Sequence, residues 1–594
     1  MKRPRIPIII ILCGLLLFPL AAQNRQRIVP YDSPQLIQLR GLYRELGLAL
    51  PSQTAPFTEA EVMLMLDRVL DEERELSPAG RRAVAEIRSG FEKRPEYTEF
   101  DGDFVFDTDL TLGVEGYAGF IGDEDTREWV RGYNERVPTL HAPFEFYLYD
   151  SFYALTSLTA QQDPFAVLDK QGSGSTIPLS FNDLESNYPL QTALSYGGEH
   201  WNIRMARETL DWGGGKTGNL LIGANGTVHD FIEATTFWKR FKFTFLWLGQ
   251  DNYAWQYDYT DTNGNGVYDP GIDTFGGYRT ILVGNRTFFY PEYDRINDVE
   301  DGYLQGDSNS IAVSAQESYR HFLAHRMEFR PRHNLSLTLT EAVMYQDTSF
   351  QLRYLNPMMI FHNWYQGGNA NYFMTLEADY TPIPGVSLYG QFLGDQIAFY
   401  FNRQGGTYSD VPPGMGYLAG IDLNRPYKEG YLFGGAEWVK LDPYNYIDRS
   451  GINLWFERRV ISNYMGGHHY LVIQPLGYEK GPDSMTWYAE AGYRIPGRWE
   501  LKASGEYSLK GENTIVSLWS DADGEAEKRT PSGDHPIGML VLSLTGEMDA
   551  SVIGLDWDSR FGTELSLIRV ENLNHDPDED FWDLQLSARF TYSF

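Results

Sequence analysis

The last thirteen residues constrain this chain more than any other stretch. From Trp582 to Phe594 the residues alternate without a miss. Trp582, Leu584, Leu586, Ala588, Phe590, Tyr592 and Phe594 are apolar, and Asp583, Gln585, Ser587, Arg589, Thr591 and Ser593 between them are polar. Successive side chains of a strand point to opposite faces, so the segment is apolar on one side and polar on the other. The chain then stops on an aromatic residue. A strand of a soluble sandwich alternates in the same way, but it seldom forms the very end of a chain.

This ending resembles the carboxy-terminal strand of bacterial outer-membrane β-barrels, which closes on Phe, and through Phe594 it implies engagement of the barrel-insertion machinery. The amino terminus agrees. Lys2, Arg3 and Arg5 precede an apolar run from Ile6 to Leu20 and then Ala21-Ala22-Gln23, the pattern of a secretory signal peptide spanning residues 1–22. Cys13 is the only cysteine. Leu12 before it does not fit a lipoprotein signal, and cleavage after Ala22 leaves a mature chain with neither disulfides nor a thiolate metal site. No later run approaches the ~18 apolar residues of a membrane helix. A mean hydropathy of −0.38 looks soluble, yet a barrel strand spends half its side chains on a polar lumen. Aromatic residues make up 15% of the chain, which suits girdles at two membrane interfaces. A large secreted sandwich or propeller is the soluble alternative.

The formal net charge is −32, and −35 without the three signal-peptide cations, which argues against nucleic acid as a partner. Acidic loops such as Asp576-Pro577-Asp578-Glu579-Asp580 keep a surface solvated or bind divalent cations.

Residues 23–95 are expected to form a small helical domain in the periplasm. Ser33-Pro34 opens one helix, Thr58-Glu59-Ala60-Glu61 is a capping box opening a second, and Ser77-Pro78 opens a third. From residue 96 to 594 strand-like runs alternate with Gly-, Asp-, Asn- and Pro-rich loops, the pattern of a large antiparallel barrel. Trp487–Ile495 and Trp499–Leu509 read as a hairpin turning at Pro496-Gly497 at the periplasmic rim. A periplasmic carboxyl terminus then requires one strand up at 499–510, one down near 539–545, one long strand up over 551–570 and one down at 582–594. About 16 to 20 strands fit the length.

One loop has the ligands of a calcium site. Asp261, Asn263, Asn265 and Asp269 alternate around Gly266 in the sixth position, and Asp273 follows. Short oxygen side chains at alternate positions converge on a hard cation where a glycine allows a sharp turn. Ile272 stands where an EF-hand has its bidentate Glu. A solvated Asn-Gly turn is the other reading.

A second stretch runs Arg207-Glu208-Thr209-Leu210-Asp211-Trp212-Gly213-Gly214-Gly215-Lys216-Thr217-Gly218-Asn219-Leu220. It lacks the spacing of a phosphate loop. Glycines beside Trp among strands favour a tight turn or bulge with a ring laid over backbone. The stretch resembles the WG-G…L motif of the capsule assembly (Wzi-like) family of outer-membrane barrels. Three further runs are similar to that family: His325-Arg326-Met327-Glu328 through Glu341 and Tyr345; Tyr354-Leu355-Asn356-Pro357; and Leu388-Tyr389-Gly390-Gln391-Phe392 with Asp395, where Gln391 replaces a Glu. The resemblance implies about 18 strands closed inside by helices, and a part in binding or attaching surface polysaccharide. It makes Arg207, Trp212, Gly213, Arg326, Glu341, Asn356 and Pro357 the motif positions, with a structural or a ligand role. Lumenal ion pairs are the structural reading. Arg326 and Glu341 flank a turn, although Glu341 shares parity with Leu335 and Leu337, so their meeting requires a bulge. His321 and His325 share a strand face with no third metal ligand in sight, and no motif marks a catalytic Ser/His pair, so no enzymatic activity is expected. The rival function is a porin-like channel for small solutes.

Overall fold

The computed structural model describes the chain from Arg25 to Phe594, except for residues 163–173, 250–258, 261–273, 283–318, 362–369, 396–413, 448–454 and 514–528 and gaps of one to six residues elsewhere. The signal-peptide reading and the candidate calcium loop fall outside the described residues.

The alternation seen at the carboxyl terminus recurs around the molecule. Eighteen antiparallel strands form a closed barrel. The outward face carries large exposed apolar side chains, while the inward face carries buried polar ones together with an apolar cluster, including Phe231, Leu246, Phe322 and Leu393, that packs around Trp212 and Leu220. In the last strand, Phe581–Ser593, Asp583, Gln585 and Ser587 are buried while Trp582 on the other face is 44% exposed. Exposed apolar residues such as Ile203, Met205, Phe329, Leu501 and Leu544 continue this outer surface. An inside-out distribution of this kind fits a wall that meets hydrocarbon.

Closure joins the two ends of the sheet. Phe581–Ser593 pairs with Thr111–Gly119, from Ser593 opposite Thr111 to Gln585 opposite Gly119. Phe594 exchanges two backbone hydrogen bonds with Leu110, at 3.1 and 3.0 Å. The seam pairing thus runs to the last residue of the strand, whose ring is exposed.

Tight turns gather at one end of the cylinder and long connections at the other. The Pro496-Gly497 hairpin lies at the short-turn end, between Ser484–Ile495 and Trp499–Lys510, with Gly497 at φ +67°. The order of the last four strands is as expected from counting crossings. The extent of the third is not. Residues 551–570 are not one strand: Ala550–Ile553 is a 3-10 turn, Gly554 is left-handed at φ +80°, and the strand is Ser559–Glu571. Unbroken parity misled because Ile553 and Leu555 fall in phase with Phe561 by chance of spacing.

Three helices precede the barrel: α1, Pro34–Glu45; α2, Glu59–Leu70; and α3, Pro78–Glu92. Ser33 caps α1, with Pro34 in the first turn. The Thr58/Glu61 capping box of α2 is fully formed. Their apolar faces pack on one another around Leu36, Leu42, Val62, Leu66, Val84 and Ile87.

Candidate functional site in the barrel lumen

Two inserted elements occupy the lumen. The first is the amino-terminal domain, lodged in the short-turn end. Its backbone and side chains are held by charged groups of the wall. Leu50 N donates to Asp379 Oδ1 at 3.1 Å, Gln53 N to Glu328 Oε1 at 3.0 Å, and Asn424 Nδ2 to Gly41 O at 3.0 Å. Lys242 Nζ pairs with Glu61 Oε1 at 2.6 Å, and Arg44 pairs with Asp422. These groups sit on the run of strands from Phe241–Gly249 to Gly414–Tyr427, and Arg27 pairs with Glu145 at 3.2 Å on Leu140–Leu148, so the domain is held from two parts of the wall.

The second element is the glycine-rich stretch. After Trp201–Glu208 reaches the long-loop end, the chain turns back into the barrel before resuming as His229–Trp238. Asp211–Trp212 pairs with Thr54–Ala55 of the amino-terminal domain, and Gly213 N donates to Gln53 O at 2.8 Å. The two insertions therefore meet inside the lumen. Trp212 is fully enclosed. The glycines permit this close approach. Gly213 has φ +143°, and a Cβ there would lie 2.1 Å from Gln391 Nε2. A Cβ on Gly215 would lie 1.9 Å from Gly218 O. Expected as a tight turn or bulge with a ring laid over backbone, the stretch is a loop folded into the lumen.

Wall carboxylates hold the rest of this loop. Glu437 accepts from Lys216 N at 2.7 Å, Thr217 N at 2.9 Å, Thr217 Oγ1 at 2.6 Å and Tyr389 OH at 2.9 Å. Lys216 Nζ reaches Glu490 at 2.5 Å and Asp422 at 3.2 Å. Gln391 accepts from Leu220 N at 3.0 Å and donates to Asn219 Oδ1 at 2.6 Å. An ionised Glu at 391 would accept only, which explains the amide at this place. Toward the long-loop end Trp455 Nε1 donates to Leu221 O at 2.9 Å, and Tyr446 OH donates to Leu220 O.

Burial costs this loop something. It pushes the Asp211 carboxyl up to about 6, against the pull of Arg40 and a hydrogen bond from Asn219. Burial likewise pushes the Tyr478 phenol, which touches Thr217, up to about 12, with Lys480 opposing.

The motif positions divide into three places. Trp212 and Gly213 lie in the inserted loop. Arg326 is a lumenal group on the wall: it grips Glu377, with Nη2 to Oε2 at 2.9 Å, and donates from Nη1 to Thr340 Oγ1 at 3.0 Å. Its carboxylate partner is not Glu341. The register sets Arg326 opposite Thr340 and His325 opposite Glu341. A register irregularity occurs between Phe329 and Arg332, but it does not bring Glu341 inside. Glu341 faces outward, 3.3 Å from His325 Nε2. There the described residues of the connection after Leu335–Asp347 fold over the outer wall. Tyr354 packs on Tyr345 at 4.6 Å between ring centres, and Phe361 on His325 at 4.2 Å. Asn356 belongs to this fold-over, accepting from Met359 N at 3.0 Å; Pro357 lies outside the described residues. Arg207 also faces outward, bidentate to Asp230 on the next strand, with both bonds at 2.8 Å.

Glu377, Glu437, Asp422 and Lys216 were not singled out in the sequence. For the three carboxylates the signal was present, because each stands at inward parity within a strand. Among the described residues, no cluster of three His, Cys, Asp or Glu could hold a metal. The candidate ligands Asp261, Asn263, Asn265, Asp269 and Asp273 are outside the described residues, but the strands Tyr259–Thr260 and Thr274–Phe275 that flank them are paired.

No known family description and no curated protein sequence matches the chain. Solved structures do match. Wzi of Escherichia coli, described as an outer-membrane protein involved in group 1 capsule assembly and a carbohydrate-binding β-barrel, aligns with a TM-score of 0.53 and 12% identity, over 96% of this chain and 99% of that one. Pseudomonas aeruginosa OccK3 aligns at 0.38 and 8% identity over 82% of this chain and 96% of that one. OprD of the same organism aligns at 0.36 and 10% identity over 82% and 95%. The chain is a bacterial outer-membrane protein, a closed 18-strand barrel that shares the fold of the Wzi barrel and carries inserted elements from both ends of its lumen.

Proposed function

We propose that this barrel takes part in the assembly or surface attachment of capsular or other extracellular polysaccharide, as a lectin-like protein without catalytic activity. The observation that carries the reading is the meeting of two insertions inside the lumen, where Asp211–Trp212 pairs with Thr54–Ala55. A pore for small solutes needs an open path, and charged wall residues that could line one are here engaged in holding protein. The likeness in fold to a carbohydrate-binding barrel supports the same reading. Trp455, Tyr446 and Tyr478 are fully enclosed, so sugar contacts are assigned to other aromatic and acidic residues of the long extracellular loops. Calcium at 261–273 would rigidify one such loop.

Deletion of the gene followed by staining for surface glycan tests the proposal. Loss of cell-attached glycan, with glycan recovered in the medium and restored to the surface by the intact gene, is expected. Unchanged surface glycan together with impaired uptake of a small solute would favour the porin-like channel instead.

A further inference from the structure

At the periplasmic mouth, a groove opens between α2 and the tight turn after His229–Trp238. Leu64, Met65 and Arg68 line one side; Trp238, Lys239 and Arg330 line the other. Its charge is unusual for so acidic a chain. Lys242 and Glu61, which also line it, neutralise one another. The remaining charged lining residues are cations. Arg330 is only 5% exposed. Its Nε and Nη2 donate to Lys239 O at 2.8 Å and Trp238 O at 2.6 Å, while its buried Nη1 has no hydrogen-bond partner. Arg68 has no carboxylate within ion-pair distance among the described residues, and Lys239 has only Asp71 at 3.7 Å across solvent.

Arg330 thus stands fixed beneath the groove by the two carbonyls and adds its permanent positive charge there. Two arginines and a lysine around one groove suit a phosphate, whose oxygens take several charge-assisted hydrogen bonds at once. The surroundings specify what carries it. Trp238 is 46% exposed on the lipid-facing wall and stacks on Phe241 at 6.2 Å. Phe241 stands opposite Phe329, which is 51% exposed, and Met327 beyond it is 40% exposed. An apolar track thus leads from the groove up the outer wall at the level of the periplasm-facing leaflet. We propose that this groove binds the phosphate of a phospholipid of that leaflet, with the acyl chains lying along Trp238, Phe241, Phe329 and Met327.

The test uses the full chain purified in a non-ionic detergent and native mass spectrometry. Phosphatidylglycerol is compared with diacylglycerol of the same acyl chains, and inorganic phosphate is titrated separately by calorimetry. One retained phosphatidylglycerol and no retained diacylglycerol are expected, with retention weakened at least about tenfold in the double variant Arg68→Gln/Lys239→Gln. Those two residues lie on the surface of the mouth, so the variant keeps the barrel; Arg330→Met should weaken binding as well if it folds. Equal retention of both lipids, or no change in the double variant, would overturn the site. Inorganic phosphate bound as tightly as the lipid would overturn the lipid assignment.

Discussion

Arg326 on the barrel wall donates from Nε to Thr54 Oγ1 of the amino-terminal domain at 2.7 Å. The same guanidinium grips Glu377 two strands away and lies 5.7 Å over the Trp212 ring. One fully enclosed cation therefore touches the wall and both inserted elements. Its removal leaves Glu377 buried without its partner, a loss of about 3–5 kcal/mol. Arg326→Met should lower stability by that order in reversible urea unfolding in detergent. Adding Glu377→Leu should recover part of the loss, because an apolar pair needs no compensation.

The inserted loop depends on its glycines. Gly215→Ala puts a Cβ 1.9 Å from Gly218 O, where backbone must move. A cost of about 1–3 kcal/mol follows from such overpacking, borne by the loop and not by the ladders of the wall. Transient current steps in planar bilayers should become more frequent in this variant, while its strand content by circular dichroism stays unchanged.

Asp211 makes the loop sensitive to acid in a defined direction. Its carboxyl ionises near 6 in the folded protein against an ordinary 3.8. The folded state therefore holds a proton more firmly, and stability from this group rises as pH falls from above 6 toward 3.8. Ionisation at neutral pH costs up to about 3 kcal/mol. Asp211→Asn should remove that contribution, so the stability difference between variant and parent, measured by urea unfolding, should shrink as pH falls from 7 to 4.

Calcium binding at the candidate loop 261–273 can be checked in solution. Isothermal titration should detect one calcium ion per chain, lost in Asp261→Asn/Asp269→Asn. Chelation should increase protease cleavage near residues 261–273 and leave the barrel intact.

The sequence made the wall legible because a lipid-facing strand has only two environments, and Trp582 to Phe594 records both. The helices were legible from local chemistry: Ser33-Pro34 and the Thr58/Glu61 box act within a few residues. Partners across the barrel were not. Parity placed Arg326 and Glu341 on opposite faces, yet nothing local named Glu377, which lies on the second strand over. The Gly213–Gly215 run showed that backbone must come close to something. That something is Gln53 and Gln391, far away in sequence and chosen by the closing of the cylinder. Arg207 and Glu341 were grouped with lumenal positions through resemblance alone; register places both outside.

A lumen filled by its own chain should not conduct. Single-channel recording of the full mature protein in planar bilayers reads this out. A quiet baseline with at most brief, small steps is expected, with stable open steps once the wall cation that touches both inserted elements is removed, as in Arg326→Met. Stable porin-sized conductance in the unmodified protein would contradict it.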